Sequence, residues 1–591
     1  MSADKDFSII KMQLIDNFLS AAVDEMMQAV VRTSLSPITR EVFDFQCGYC
    51  RADGEILLEG EGTYIHSLIY QTLIENWLKD NPGNTHPGDV MITNDPYSGA
   101  AHLPDVYIFR PIFSDNKLVA WAVGGGHQRD VGGMTPGSCP TNATEIHQEG
   151  LRLPPLKLYD RGEPNQTLFT VIKAASRTPE IVLADISAYV GACFVAEQRF
   201  LELVTKYGVD TLDYYLENLL DYTERMARSE IRSMPDGTYH FEDKLDDDGI
   251  NPENSITIHL SITVDGDNLI YDFKGTDDQV GSSMNNPLGS TRSAVVTAVR
   301  SMMGNDVPRN GGAWRPVTLK VPYGSLLNPK FPGPVASRGG TAQRLSDVLL
   351  GCQCQICPDR MLACSSGVDT LLNIAGNDAN GDRFILTECC WGGWGGRKTS
   401  DGIEFITPPS HNNSNTPIEV SEQIYPAILY NSHGFVMDTE GAGKYRGATA
   451  VVREYTYLGA EDGILQLRVD RRTSGPYGID GGQSGTPLSA TINPGSDTEL
   501  DIGKTTMTLG TGDRLRIQVA GAGGWGAPCE RDPVAVMADV RNGFISVERA
   551  REVYLVVLDE TGQGVDKSET ASLRNNNKQG VEISLSSKTI P

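Results

Sequence analysis

Cysteine is scarce in this chain: eleven in 591 residues, an odd number at low density. That excludes a secreted scaffold held by disulfides. The two CxxC pairs, Cys47/Cys50 and Cys354/Cys357, lie roughly 300 positions apart and do not form one zinc ribbon. Positive charge is also short, with 50 Lys and Arg against 76 Asp and Glu and a formal net charge of −26. A surface this negative repels phosphate backbones and anionic lipid, so nucleic acid and membranes are excluded as partners. Apolar runs such as 181–196 are interrupted by polar residues and are expected to fall short of a spanning helix. The opening MSADKDFSIIKMQ has no apolar run of the signal-peptide kind, and the expected location is cytoplasmic.

A nucleotide loop is missing as well. Gly503-Lys504-Thr505-Thr506 has Thr498 where a phosphate loop needs its first glycine, and an alternating stretch follows instead of a helix. Gly521 to Gly526 satisfies GxGxxG formally, but Ala527-Pro528 comes next and no helix starts there. No fixed-period repeat is present. Hydrophobic residues at 39 % and charged residues at 21 % do describe an ordinary globular protein.

The periodicities predict a mixed α+β chain of several regions. Helical spacing covers 6–35, about 64–80, most of 167–230, about 288–303, and 341–364 with Cys354 and Cys357 inside it. Alternation predicts a hairpin over 41–60 turning at Ala52-Asp53-Gly54, strands near 89–93, 105–113 and 117–124, and strands through 238–275. From about 383 short strands and glycine-rich turns dominate, up to an acidic helix near 546–553. The expected regions are an N-terminal α+β metal-binding region at 1–235, a central α+β region at 236–380, a β-rich region at 381–565, and a flexible tail at 566–591.

Histidine is sparse too, nine in all, and two sit in unusual company. HLPD places His102 and Asp105 between a glycine-and-proline turn and a strand. GGGHQRDVGG places His127 and Asp130 among glycines. Upstream, Asp44 lies between two aromatics in VFDF. A carboxylate in an apolar stretch must be paired, protonated or metal-bound, because an isolated buried charge is costly. Asp44, His102, Asp105 and His127 together make an N2O2 set suited to zinc, and also to manganese or iron. Ordinary buried polar residues remain the alternative. Cys47 and Cys50 are rival ligands; on a strand, Cys50 shares the face of Asp44 and Cys47 points away. The glycine clusters 124–127, 339–344 and 391–397 either line one shared cleft or are tight turns.

Longer stretches then carry a resemblance. VFDFQCGYCRADGEI, GDVMITNDPYSGAAHLPDV, GGGHQRDVGGMTPGSCPTNATEIHQEGLRLPP, DVPRNGGAWRPV, YGSLLNPKFP, NNSNTPIEV, GAGKYRGATAVVREY and AGAGGWGAPCERDPVAVMADVRNGFIS resemble the hydantoinase B/oxoprolinase family over nearly the whole chain. The resemblance implies a B (beta) subunit of an ATP-dependent lactam or hydantoin hydrolase, closest to caprolactamase or N-methylhydantoinase. It implies an A-type partner that binds ATP and Mg2+, an (αβ)2 assembly, and a divalent metal, zinc first, held by Asp44, His102, Asp105 and His127. Relatives often show GHHADIGG where this chain has GHQRDVGG, so a ring nitrogen is lost beside His127 and Arg129 adds charge.

The expected chemistry is hydrolysis of an activated lactam or hydantoin to an amino acid. The partner would use ATP either to phosphorylate the ring or to make carboxyphosphate from bicarbonate. The alternative is a subunit of an ATP-dependent acetone- or acetophenone-type carboxylase, and a third reading is a structural partner whose metal only stabilises the fold. Asp130 and Glu149 are the candidate general bases. His66 and His147 are candidates for supporting the ligands.

Overall fold

The computed structural model describes residues 7–586, apart from positions 368, 410 and 415. Residues 1–6 and the last five residues of the expected tail lie outside the described residues. The chain is α+β, as its periodicities predict.

Its N-terminal region is built on one antiparallel sheet. The strands are β1 (Phe45–Arg51), β2 (Ile56–Glu59), β3 (Val90–Thr93), β4 (Asp105–Ser114), β5 (Lys117–His127), β6 (Leu156–Asp160) and β7 (Glu163–Pro164). They lie in the order β2-β1-β5-β4-β3-β6-β7. The expected hairpin is β1–β2. Both faces of the sheet are covered, which is why DVYIFRPIF reads as a nearly continuous apolar run. Val106 and Ile108 pack with the helices Ile9–Thr33 and Pro179–Tyr207, whereas Tyr107 and Phe109 pack with the helix Ile69–Asp80. Pro179–Tyr207 corrects one expectation. With 29 residues it is long and apolar enough to cross a membrane. It lies instead along the sheet and buries Val182, Ile186, Tyr189, Cys193 and Phe200 in this core.

The central sheet comprises Gly237–Leu245, Ile256–Asp265, Asn268–Asp272 and Val317–Lys320. Ile256, Ile258, Leu260, Ile262 and Val264 alternate inward, at the two-residue period of a half-buried strand. The helices Leu288–Met302 and Arg338–Gln353 cover that face. The second helix is shorter than expected: Cys354 caps it and Cys357 lies in the turn beyond. Pro358 follows, and proline can neither donate to the ladder nor fit the preceding turn.

The C-terminal region packs two sheets over a shared core, with Leu372, Ile374 and Leu465 from one facing Val451, Leu515 and Ile517 from the other. The strand Thr370–Asn377 pairs with Arg383–Cys390. A boundary at 380 therefore falls in the turn of a hairpin, and the β-rich region begins near 370. The GxGxxG segment lies beneath neighbouring backbone, where a Cβ at Gly523 would stand 1.9 Å from Tyr477 O. Lys504 pairs with Asp247 and Asp470, so the second phosphate-loop lookalike is also structural. The tail expected to be flexible is helical over Lys567–Ser586. Asp566 caps its start through the Glu569 N–H, and Arg574 donates to the carbonyls of Arg531 and Tyr554.

Candidate metal centre

The site follows from strand register. β4 and β5 pair so that Asp105 stands opposite His127. β1 pairs with β5 up to Phe45 and Gly126, and the next N–H, that of His127, donates to Asp44 O at 3.0 Å. Three sequence-distant residues thus meet at one end of three adjacent strands. The approach is close: a Cβ at Gly125 would stand 2.2 Å from Val106 O. The cluster GGGH is therefore strand, not loop, and its glycines let β1, β5 and β4 come together. His102 precedes β4 in the turn and folds back on Asp105.

His102 Nε2 lies 3.1 Å from Asp105 Oδ1 and 3.2 Å from His127 Nδ1, and His127 Nδ1 lies 3.0 Å from Asp105 Oδ1. All three residues are buried. His102 Nδ1 lies 2.9 Å from the carbonyl of Ala336. A carbonyl only accepts, so the proton sits on Nδ1 and Nε2 presents a lone pair inward. Burial, together with Arg338 nearby, outweighs Asp105 and brings the ring down to about 4, so at neutral pH it has no second proton. Burial alone would raise Asp105, but His102 and Arg338 hold its carboxyl well below the usual range. Two bare acceptors 3.1 Å apart repel each other unless the Nδ1 proton of His127 or a cation lies between them. Ligand atoms about 2.1 Å from a tetrahedral ion stand about 3.4 Å from one another, close to the spacing here. The donor set fits a divalent metal.

Asp44 stands beside this trio on the wall of the same cavity. Its Oδ1 lies 3.3 Å from His66 Nε2, and His66 Nδ1 lies 2.8 Å from the Tyr107 hydroxyl. Burial raises its carboxyl, but the hydrogen bond to His66 and the charge of that ring prevail and bring it down to about 2. Arg338 Nη2 donates to Asp105 Oδ2 at 2.6 Å and leaves Oδ1 for the cluster. Of the two expected supporting histidines, His66 contacts Asp44 and His147 does not: it is exposed and meets the ring of Phe331 edge-on at 5.6 Å.

Neither candidate base lines the cavity. Asp130 is saturated by the N–H groups of Gly132, Gly137 and Arg177 and by the Arg177 guanidinium at 2.9 Å. Glu149 Oε1 accepts from Val335 and Ala336 N–H, and so fixes the carbonyl that orients His102. Burial outweighs those two bonds and pushes its carboxyl up to about 8. Cys47 packs against Gly124 and Cys50 lies in the core on the opposite face of the sheet, so neither competes as a ligand. Arg129 turns to the Tyr425 hydroxyl, 2.6 Å away.

Opposite the histidines the cavity, about 50 Å³, is closed by Asp369, Trp391, His411 and Arg468. The rings of Trp391 and His411 meet at a tilt of 48°, with centroids 5.5 Å apart. Burial lowers the pKa of the His411 ring. Nε of Arg338 and Nε of Arg468 are buried without a hydrogen-bond partner among the described residues. Sequence reasoning missed Arg338, Asp369, His411 and Arg468. Only the glycine clusters beginning at 339 and 391 hinted at them, and residues of both clusters do line this cavity together with His127.

The Hydantoinase B/oxoprolinase model matches residues 8–528. A putative D-/L-hydantoinase B-type protein of Pseudomonas sp. strain NS671 is 32 % identical, over 96 % of this chain and 98 % of that protein. The beta chain of the Pseudomonas jessenii caprolactamase is 30 % identical, over 96 % and 98 % respectively. The crystal structure of the ATP-dependent caprolactamase from that organism superposes with a TM-score of 0.88 at 26 % identity, over 97 % of this chain and 100 % of that one. A nucleotide-free acetone carboxylase structure has a TM-score of 0.89 at 19 % identity, over 98 % and 84 %, and is alike in fold.

Proposed function

The chain belongs to the hydantoinase B/oxoprolinase family, and on that footing we propose that it is the metal-binding subunit of an ATP-dependent cyclic-amide hydrolase. It opens an activated lactam or hydantoin to an amino acid, while an A-type partner binds ATP and Mg2+ in an (αβ)2 assembly. The observation that carries this reading is the convergence of His102 Nε2, His127 Nδ1 and Asp105 Oδ1 on one point beside a cavity that Asp44, Arg338 and Arg468 also line. The family match supports it, as do the hydantoinase and caprolactamase relatives, each named as one component of a larger enzyme.

Asp44, His102, Asp105 and His127 are the proposed ligands, with zinc first and manganese or iron compatible with the same N2O2 set. When bound, the ion acts as a Lewis acid and brings the pKa of a water toward 7. The chain's own residues supply the rest. Ala336 O fixes the tautomer of His102, Arg338 neutralises Asp105, and His66 orients Asp44. The guanidinium groups of Arg338 and Arg468 offer unused donors to the oxygens of a substrate. An unstrained amide is a poor electrophile, so ATP, with or without bicarbonate, supplies the drive. All eleven cysteines are free, in keeping with a reducing, cytoplasmic setting.

The test is co-expression with the A-type partner and turnover of a lactam and hydantoin panel with and without ATP, metal and bicarbonate. ATP-dependent ring opening is expected. A product heavier by one carboxyl group would overturn the hydrolase reading in favour of a carboxylase.

A further inference from the structure

A second cavity, of about 230 Å³, shares no lining residue with the one at the metal cluster and lies between β2, the turn 64–68, the helix Leu288–Met302 and the loop 309–314. Its walls are mostly apolar, formed by Ile56, Leu68, Val296, Val299 and Trp314. Three charged side chains also line it: Glu59, Arg300 and Arg309. Arg309 is paired with exposed Glu61 at 2.9 Å. Glu59 Oε1 accepts from the N–H of Leu68 at 2.9 Å. Arg300 differs. Its Nη1 donates to the carbonyls of Val307 and Pro308, at 2.8 and 3.1 Å, and among the described residues no carboxylate lies within ion-pair distance of it. Burial and the nearby charge of Arg309 push its pKa down, the mark of a cation lacking a counter-ion.

A half-buried guanidinium without an anion is costly. With Nη1 committed, its other N–H donors remain for a ligand, and the planar fork matches a carboxylate. Pockets of roughly 300 Å³ and upward hold drug-sized molecules, so this one suits a handful of heavy atoms. We propose that the cavity is a binding site, separate from the metal centre, for a small organic monocarboxylate. Arg300 holds its carboxylate and Leu68, Val296 and Trp314 enclose its aliphatic body. Burial pushes the carboxyl of Glu59, which also lines the cavity, up to about 7, so above that pH it disfavours a second carboxylate and tolerates an ammonium group. The inference does not depend on the chemistry proposed at the metal centre.

The test is calorimetric titration of the purified full-length chain with hexanoate, 6-aminohexanoate, adipate and hexylamine. Hexanoate and 6-aminohexanoate are expected to bind saturably, adipate at least tenfold more weakly, and hexylamine not at all. Arg300→Gln and Val296→Phe, the latter narrowing the cavity while retaining the guanidinium, should each weaken hexanoate at least tenfold while melting curves report the fold. Chelation of metal and His102→Ala should leave hexanoate binding unchanged. No saturable binding to the unaltered chain, binding that survives Val296→Phe in folded protein, or binding lost on chelation would each overturn the proposal.

Discussion

Asp105 and His127 face each other across the paired strands β4 and β5, Oδ1 to Nδ1 at 3.0 Å, with Arg338 gripping the other carboxylate oxygen. The carboxylate thus serves the cluster with one oxygen and a buried cation with the other. Asp105→Asn should therefore act twice. It should abolish most bound metal, read by elemental analysis of purified protein. It should also destabilise the chain by about 3 kcal/mol in urea, because Arg338 is left buried and unpaired. His102→Ala should lose the metal with less effect on stability. An Asp105→Asn protein with full metal content would remove Asp105 from the ligand set.

His66 touches the cluster only through Asp44, with its other nitrogen on Tyr107. His66→Ala should weaken metal affinity about 10- to 100-fold, as loss of groups that orient ligands commonly does. Competition with a chelator of known affinity reads this directly. Unchanged affinity would mean that Asp44 is positioned without it.

Glu149 makes a prediction about pH. Its folded carboxyl sits at about 8, above the ordinary value of 4.5, because burial disfavours the charged form. The stability it contributes is fully present below about pH 4.5 and is lost as pH rises through about 8. Glu149→Gln keeps an oxygen for Val335 and Ala336 and cannot ionise. Between pH 5 and 9 the unaltered chain should lose on the order of a few kcal/mol that the variant keeps. Parallel stability curves for the two would show that Glu149 titrates normally.

Cys354 and Cys357 offer a negative control. Burial pushes their thiols up to about 12 and about 11, away from thiolate chemistry. The double alanine variant should retain its full metal content and lose only about 1–2 kcal/mol of packing. A drop in metal would identify a second, thiolate site.

The residues of the centre were unequally legible. His102 and Asp105 sit three apart in one turn, and His127 follows three glycines, so local pattern singled them out. Arg338 was not legible, because its partner Asp105 is 233 positions away. The places of Asp130 and Glu149 are not legible for a related reason: proximity in sequence to His127 says nothing of which way a loop turns. Asp130 turned to Arg177 and Glu149 to the backbone at 335–336. The helix expected to run to 364 stops at Gln353: apolar content continues past that point and does not mark a helix end, and Pro358 bars its resumption just beyond.

Taken alone, the order of residues determined the α+β alternation, the β1–β2 hairpin and the imidazole and carboxylate groups that a metal needs. These follow from contacts and periodicities a few residues long. Tertiary structure alone decided that three strand ends share one point, that Arg338 and Ala336 complete it, and that Asp369, His411 and Arg468 close the cavity. Those groups meet because buried faces of separate regions pack together, and no local period along the chain records which distant side chain the packing will bring.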